Sequence, residues 1–261
     1  MEWVGYIAAI LIGISLGLIG SGGSILTVPV LVYLFHIDPV LATTYSLCIV
    51  GVSSIAGVIS RLRQKLLDIK VILVFGLPSI VGVFIARKFI LHNIPDQFSI
   101  ASNPISKSSF IMLFFATLML ASAFSMILGT KQEASIEQKP KYGATLMIVG
   151  LLEGMVTGIV GAGGGFLIIP ALVILGKLPM KKAIASSLFI ITIKSLVGFS
   201  GDLMHVTVQW NFLFSIIALA TLGIITGNYL NKTIDGTKLK KGFGWFVLGM
   251  SLFIFCKQFF F

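Results

Sequence analysis

A chain of 261 residues that is 57% hydrophobic and only 11% charged has more apolar surface than a soluble core of its size can use. Several runs reach the roughly 18–20 apolar residues that span a bilayer, so the composition leaves almost no soluble domain and indicates an all-α polytopic membrane protein. The formal net charge of +10 does not point to a nucleic-acid partner, because the basic residues are scattered among short loops, where Lys and Arg report membrane orientation.

In chain order, Met1-Glu2-Trp3 lacks the basic n-region of a cleaved signal, so the first segment is read as retained. Eight long apolar segments follow, near 3–20, 39–60, 69–90, 108–129, 143–160, 183–201, 209–231 and 243–261. Shorter pieces at 24–35 and 165–176 cross only about half a bilayer at about 1.5 Å per residue. The most hydrophilic run gives the expected organisation: a transmembrane repeat at 1–129, a linker at 130–141 and a second repeat at 142–261. A second polar loop, 92–107, contains Pro95 and Pro104. Cys48 and Cys256 lie in apolar segments and fit no metal or redox spacing.

The division into halves rests on a duplication. Gly17-Leu-Ile-Gly20-Ser21-Gly22-Gly23-Ser24-Ile-Leu-Thr-Val-Pro29 recurs 141 residues later as Gly158-Ile-Val-Gly161-Ala-Gly163-Gly164-Gly165-Phe-Leu-Ile-Ile-Pro170. At the same offset Ser46-Leu47 meets Ser187-Leu188, Ser54 meets Ser195, and Gly82 meets Gly223. Glycine clusters break helices, and broken backbone survives in a membrane only inside protein or beside a polar cavity. Two such breaks in corresponding positions point to a transporter's binding site.

Loop charge tests whether the halves are parallel or inverted. If each broken segment crosses once, the loops divide 8 Lys/Arg against 10, which gives no orientation. If segment and half-helix form a hairpin that dips in and returns, the halves are inverted and the division becomes 14 against 4. That is the expected positive-inside bias, with both termini outside. Trp3, Trp210 and Trp245 fit interfacial anchoring.

The half-helices at 24–35 and 165–176 then point their N-terminal N–H groups at an anion, since a helix N-terminus carries about +0.5 charge and unpaired donors. The candidate substrate-binding residues are Gly20, Ser21, Gly22, Gly23, Ser24, Gly161, Gly163, Gly164 and Gly165 in the two clusters. Close helix packing by small residues is the structural alternative. No dinucleotide fingerprint is present, because Ile25 and Phe166 stand where the last glycine is required. Lys194 is a deep intramembrane cation, a functional position by default, on a stripe with Ser187, Ile191, Ser195 and Gly198. Glu153, read as the one acid deep in a segment, is its expected partner for a static pair or for proton coupling. Ser46, Ser186 and Ser187 offer hydroxyls for an oxyanion or for bonds between helices. His36, His92, His205 and Asp202 are expected in solvated segment ends or loops.

The twin G-x-x-G-x-G-G-[GS]-x-x-x-x-P motifs, the A-x-x-x-S-L stretches at 42–47 and 183–188 and the four-segment duplication resemble the TauE/SafE sulfite exporter family of membrane permeases. The resemblance covers nearly the whole chain. Two positions depart from the family pattern: Tyr45 stands where Thr is frequent, and Ser24 replaces the last Gly of the first cluster. The resemblance implies transport of a small sulfur-containing or organic anion, such as sulfite or a sulfonate, coupled to an ion gradient at the cell membrane. The implied partners are that anion, the bilayer and a coupling proton or ion, with a homo-oligomer left open and no cofactor, metal or nucleic acid required. A passive anion channel is the nearest alternative. An intramembrane enzyme needs a nucleophile–base pair or metal ligands at depth, for which no His and no second carboxylate is expected there.

Overall fold

The computed structural model describes residues 2–95, 97–100, 103–128, 143–203, 206–230 and 236–260; the linker at 130–141 and His205 lie outside them. The first half comprises α1 (Glu2–Ile19), a 3-10 turn (Ser21–Leu26) running into α2 (Thr27–Tyr33), and α3 (Pro39–Arg63). The helical segment Ile69–Ile90 follows, built of α4 (Ile69–Val71), a π turn (Ile72–Gly76), α5 (Leu77–Ile85) and a second π turn (Ala86–Ile90). A short antiparallel hairpin, β1 (Gln97–Ile100) with β2 (Asn103–Ser106), leads into α6 (Lys107–Leu128). The second half comprises α7 (Ala144–Val160), α8 (Gly165–Ile174), α9 (Met180–Asp202), α10 (Trp210–Leu230) and α11 (Gly236–Phe260).

Five of the described helices are long and apolar enough to cross a membrane: Pro39–Arg63, Ile69–Ile90, Lys107–Leu128, Met180–Asp202 and Trp210–Leu230. Their outward faces carry Leu73, Leu77, Phe214, Leu222 and many similar side chains in the open. That surface is stable only against hydrocarbon. Trp3, Trp210 and Trp245 are exposed.

The helices join through seams without side chains. A Cβ on Gly13 would collide with the carbonyl oxygen of Ala220 on α10, and one on Gly223 with that of Ile10 on α1. Between α7 and α5, a Cβ on Gly154 would collide with the oxygen of Ser79, and one on Gly82 with that of Leu151. Each of these second contacts equals the first displaced by 141 positions. Within both seams the helices run parallel, since Gly17 meets Ile224 and Gly227 just as Gly13 meets Ala220. Small residues allow such backbone approach where lipid supplies no hydrophobic drive between helices.

The two central helices run the other way. Thr44 of α3 bonds Asp202 at the end of α9, and Ser54 bonds Thr192 at 2.9 Å, so α3 and α9 are antiparallel. Loop contacts across the halves repeat as well. The amide of Asp68 donates to Ser186 Oγ at 3.0 Å, and the amide of Gln209 to Tyr45 Oη at 2.8 Å. Positions 68 and 209, and 45 and 186, again differ by 141.

One expectation needs correction, and one loop carries structure of its own. The first broken element does not start as an α-helix at 24; a six-residue 3-10 turn precedes seven residues of α-helix. The polar loop at 92–107 is partly ordered as the β1–β2 hairpin.

Candidate anion site at the glycine turns

Both glycine clusters reverse the chain. α7 ends at Gly161 (φ 71°), and Gly163 (φ 65°) and Gly164 (φ 77°) turn it into α8. In the first half Gly20 (φ 77°) does the same. Left-handed φ is cheap only for glycine. The returning chain lies against the helix it left. A Cβ on Gly23 would meet Leu16 of α1 at 2.5 Å, and one on Gly164 would meet Thr157 of α7 at 2.5 Å.

The two turns meet in the interior. A Cβ on Gly163 would stand 3.3 Å from Ser24 Cβ, between Val50 of α3 at 3.1 Å and Ile191 of α9 at 3.3 Å. Gly20, Gly23, Ser24, Gly161, Gly163, Gly164 and Gly165 are all buried, while Ser21 and Gly22 supply backbone to the 3-10 turn. The amides of Ala162 and Gly163 donate to no acceptor among the described residues. Buried N–H groups without partners are rare, and successive amides in such turns form concavities that take anions.

Lys194 stands beside this turn. A Cβ on Gly164 would lie 2.7 Å from its Nζ. Lys194 Nζ pairs with Glu153 Oε1 at 2.5 Å and donates to Thr157 Oγ1 at 3.1 Å; Ser79 Oγ donates to Glu153 Oε2 at 2.7 Å. Three helices thus satisfy one buried charge pair, as low-dielectric burial demands. Glu153 also borders a recess of about 290 Å³ whose other lining side chains, from α6, α7 and α8, are apolar.

The serines divide. Ser186 caps the Asp68 amide, and Ser187 Oγ donates to the carbonyl of Ile184 at 3.0 Å. Ser46 Oγ is buried with no partner among the described residues. The stripe of Ser187, Ile191, Lys194, Ser195 and Gly198 is buried as expected.

A second charged cluster overturns the reading of Asp202 as a loop residue and of Glu153 as the one deep acid. Asp202 ends α9, is 1% exposed, and pairs with the wholly buried Arg87 at 2.6 Å. Arg87 Nη1 also donates to Thr43 Oγ1 at 3.1 Å and Thr44 Oγ1 at 3.4 Å, and Thr44 Oγ1 donates to Asp202 Oδ2 at 2.7 Å. The spacing contains the signal for both residues. Asp202 is four residues beyond Gly198, and Arg87 is four beyond Val83 and eight beyond Ser79, on the buried faces of their helices. His36 is exposed at a segment end, as expected. Among the described residues no cluster of His, Cys, Asp and Glu is arranged to hold a metal.

The chain matches the model of the family described as sulfite exporter TauE/SafE over residues 6–254. It is 26% identical to a probable membrane transporter protein of Xylella fastidiosa, covering 94% of this chain and 91% of that protein. It is 26% identical to the probable membrane transporter protein YunE of Bacillus subtilis, covering 88% and 90%. A probable membrane transporter protein of Haemophilus influenzae is 29% identical, covering 95% of each chain. No solved structure gives a significant match. A helical bundle whose exposed faces suit lipid and whose interior holds charge pairs beside two broken helices agrees with these relatives: the chain belongs to the TauE/SafE sulfite exporter family and is a multi-pass membrane transporter, not an enzyme.

Proposed function

We propose that the chain is a secondary transporter of a small anion (sulfite, a sulfonate or another organic anion) bound near the membrane midplane between two inverted repeats, 1–129 and 142–261. The observation that carries this reading is the buried turn whose Ala162 and Gly163 amides lack acceptors, with the Lys194 ammonium at its side. An anion there gains donors and a positive field together. The inverted arrangement is supported by the antiparallel run of α3 against α9 and by seams that recur at the 141-residue offset. Parallel halves would make α3 and α9 run the same way. Gly20, Ser21, Gly22, Gly23 and Ser24 complete the site from the first half, and Gly161, Gly163, Gly164 and Gly165 from the second. Ser46 adds a free hydroxyl. Glu153 and Lys194 couple transport to a proton or another ion, since either member of the pair changes its interactions when the anion binds.

The test is flux in liposomes with sulfite, thiosulfate, sulfoacetate and simple carboxylates, with and without a proton gradient. Saturable, gradient-dependent uptake of at least one anion is the expected result. Flux that rises linearly with concentration makes the protein a channel, and no flux of any of these anions defeats the reading. Gly163→Val is expected to abolish uptake, because the residue has left-handed φ and a Cβ would press on Ser24 and Val50.

A further inference from the structure

The Arg87 cluster has no role in that scheme, and its ion pair engages only one oxygen of the Asp202 carboxylate. Arg–carboxylate pairs are strongest when both oxygens are engaged. Here Asp202 uses Oδ2 alone; Oδ1 is buried and accepts nothing among the described residues. The fold also does without such a pair at its opposite end. The positions 141 residues away from Asp202, Thr43, Thr44 and Arg87 hold Arg61, Ile184, Ala185 and Asn228. There Ile184 packs on Gly20 as Thr43 packs on Gly161, and Arg61 has no ion pair among the described residues.

A route joins the cluster to the central turn. Thr43, Ser46 and Val50 share one face of α3, at spacings of three and four residues. Thr43 touches the turn at Gly161, and Val50 touches it at Gly163. Ser46 lies between them with its hydroxyl unpartnered. The face of α3 that bears Thr43 and Ser46 therefore connects the Arg87 cluster to the glycine turn.

We propose that Arg87, Thr43 and Thr44 form a separate anion-binding station on the way to the central turn, and that the Asp202 carboxylate fills it until an incoming anion displaces it. The ligand class is a small oxyanion. A sulfonate or sulfite head presents three oxygens to the guanidinium and two hydroxyls, and a carboxylate presents two. Once displaced, the anion passes Ser46 and reaches the turn. This inference rests on the anion-transport reading.

Competition distinguishes the station from a clamp, because it makes the two partners of one ion pair act in opposite directions. In liposomes assayed with sulfite and sulfoacetate, Asp202→Asn removes the competitor and is expected to lower KM about tenfold, the scale of one charge-assisted bond. Arg87→Gln is expected to raise KM by about tenfold or more on the same scale. The double variant Arg87→Gln/Asp202→Asn buries no unpaired charge and is expected to fold and to keep the raised KM of Arg87→Gln. If both single variants weaken the anion alike and the double variant regains the wild-type KM, the pair is structural and the station is refuted. Unchanged KM in all three refutes it as well. Where a single variant fails to fold, the double variant decides by the same criterion. A wild-type protein that moves none of these anions defeats the transport reading and this inference together, whereas a working wild type with a clamp-like pattern defeats this inference alone.

Discussion

Lys194 and Glu153 sit in a low-dielectric interior, where each charge is tolerable only because the other is present. Thr157 and Ser79 take up further donor and acceptor capacity. Removing one partner strands a buried charge, at a cost of about 3–5 kcal/mol. Removing both replaces the pair with neutral groups and is often tolerated. Lys194→Met and Glu153→Gln are therefore each expected to lower the thermal stability of the purified protein, and the double variant to recover much of it. Flux separates structure from mechanism. If the pair takes part in transport, the double variant is stable yet inactive. A double variant that transports at the wild-type rate would leave the pair a structural role alone. Lys194→Ala is still expected to insert in the membrane, since the apolar run of α9 is intact. The tyrosine at position 45 illustrates how unequal residues fill equivalent roles. Its hydroxyl reaches the Gln209 amide as Ser186 reaches that of Asp68.

At the scale of elements, the glycine seams decide whether helices associate. In water, burial of apolar faces drives packing, but lipid removes that drive, so close backbone approach must replace it. Gly13→Val and Gly154→Val place side chains against the carbonyl oxygens of Ala220 and Ser79. Overpacking of this kind costs about 1–3 kcal/mol where neighbours relax, and backbone relaxes poorly. Both variants are expected to lose the monodisperse peak in size-exclusion chromatography. Gly249→Ala on α11 is the control, because a Cβ there meets nothing within 4 Å; it is expected to be neutral or stabilising by roughly 0.5–1 kcal/mol from helix propensity. The turns were legible in the sequence because a glycine cluster inside an apolar run has few other uses. Lys194 was legible for the same reason, as a charge far from either helix end. Arg87 and Asp202 were not. Arg87 lies about one turn from the end of its segment and Asp202 closes α9, where hydropathy does not distinguish a buried pair from loop charges; helical spacing marks the buried face of each, but a separation of 115 residues hides the pairing. The 3-10 start of the first broken element was hidden too, since hydropathy does not distinguish a 3-10 turn from an α-helix.

For the whole molecule, the decisive property is the direction of each half. α3 and α9 occupy equivalent places in their halves and run antiparallel, while α1 with α10 and α7 with α5 run parallel. A two-fold axis lying in the membrane plane satisfies all three relations at once. An axis along the membrane normal cannot, because it would keep equivalent helices codirectional. On the proposed inversion the two broken helices would approach one centre from opposite directions, and rocking one half against the other would expose that centre to each side in turn. The loops then separate by charge. The proposal then puts the basic loops at 61–70 and 177–182 on the inner side and those near 36 and 207 outside. Single cysteines test this in a background where Cys48 and Cys256 are replaced by serine. With a membrane-impermeant maleimide on intact cells, His36→Cys and Thr207→Cys are expected to label, while Lys65→Cys and Lys177→Cys label only after permeabilisation. The pair at 36 and 177 is the sharpest, since these positions are equivalent by sequence and share left-handed backbone at φ 55° and 52°. Labelling of both from the same side would mean parallel halves, and the shared central site approached from opposite leaflets would fall with the inversion.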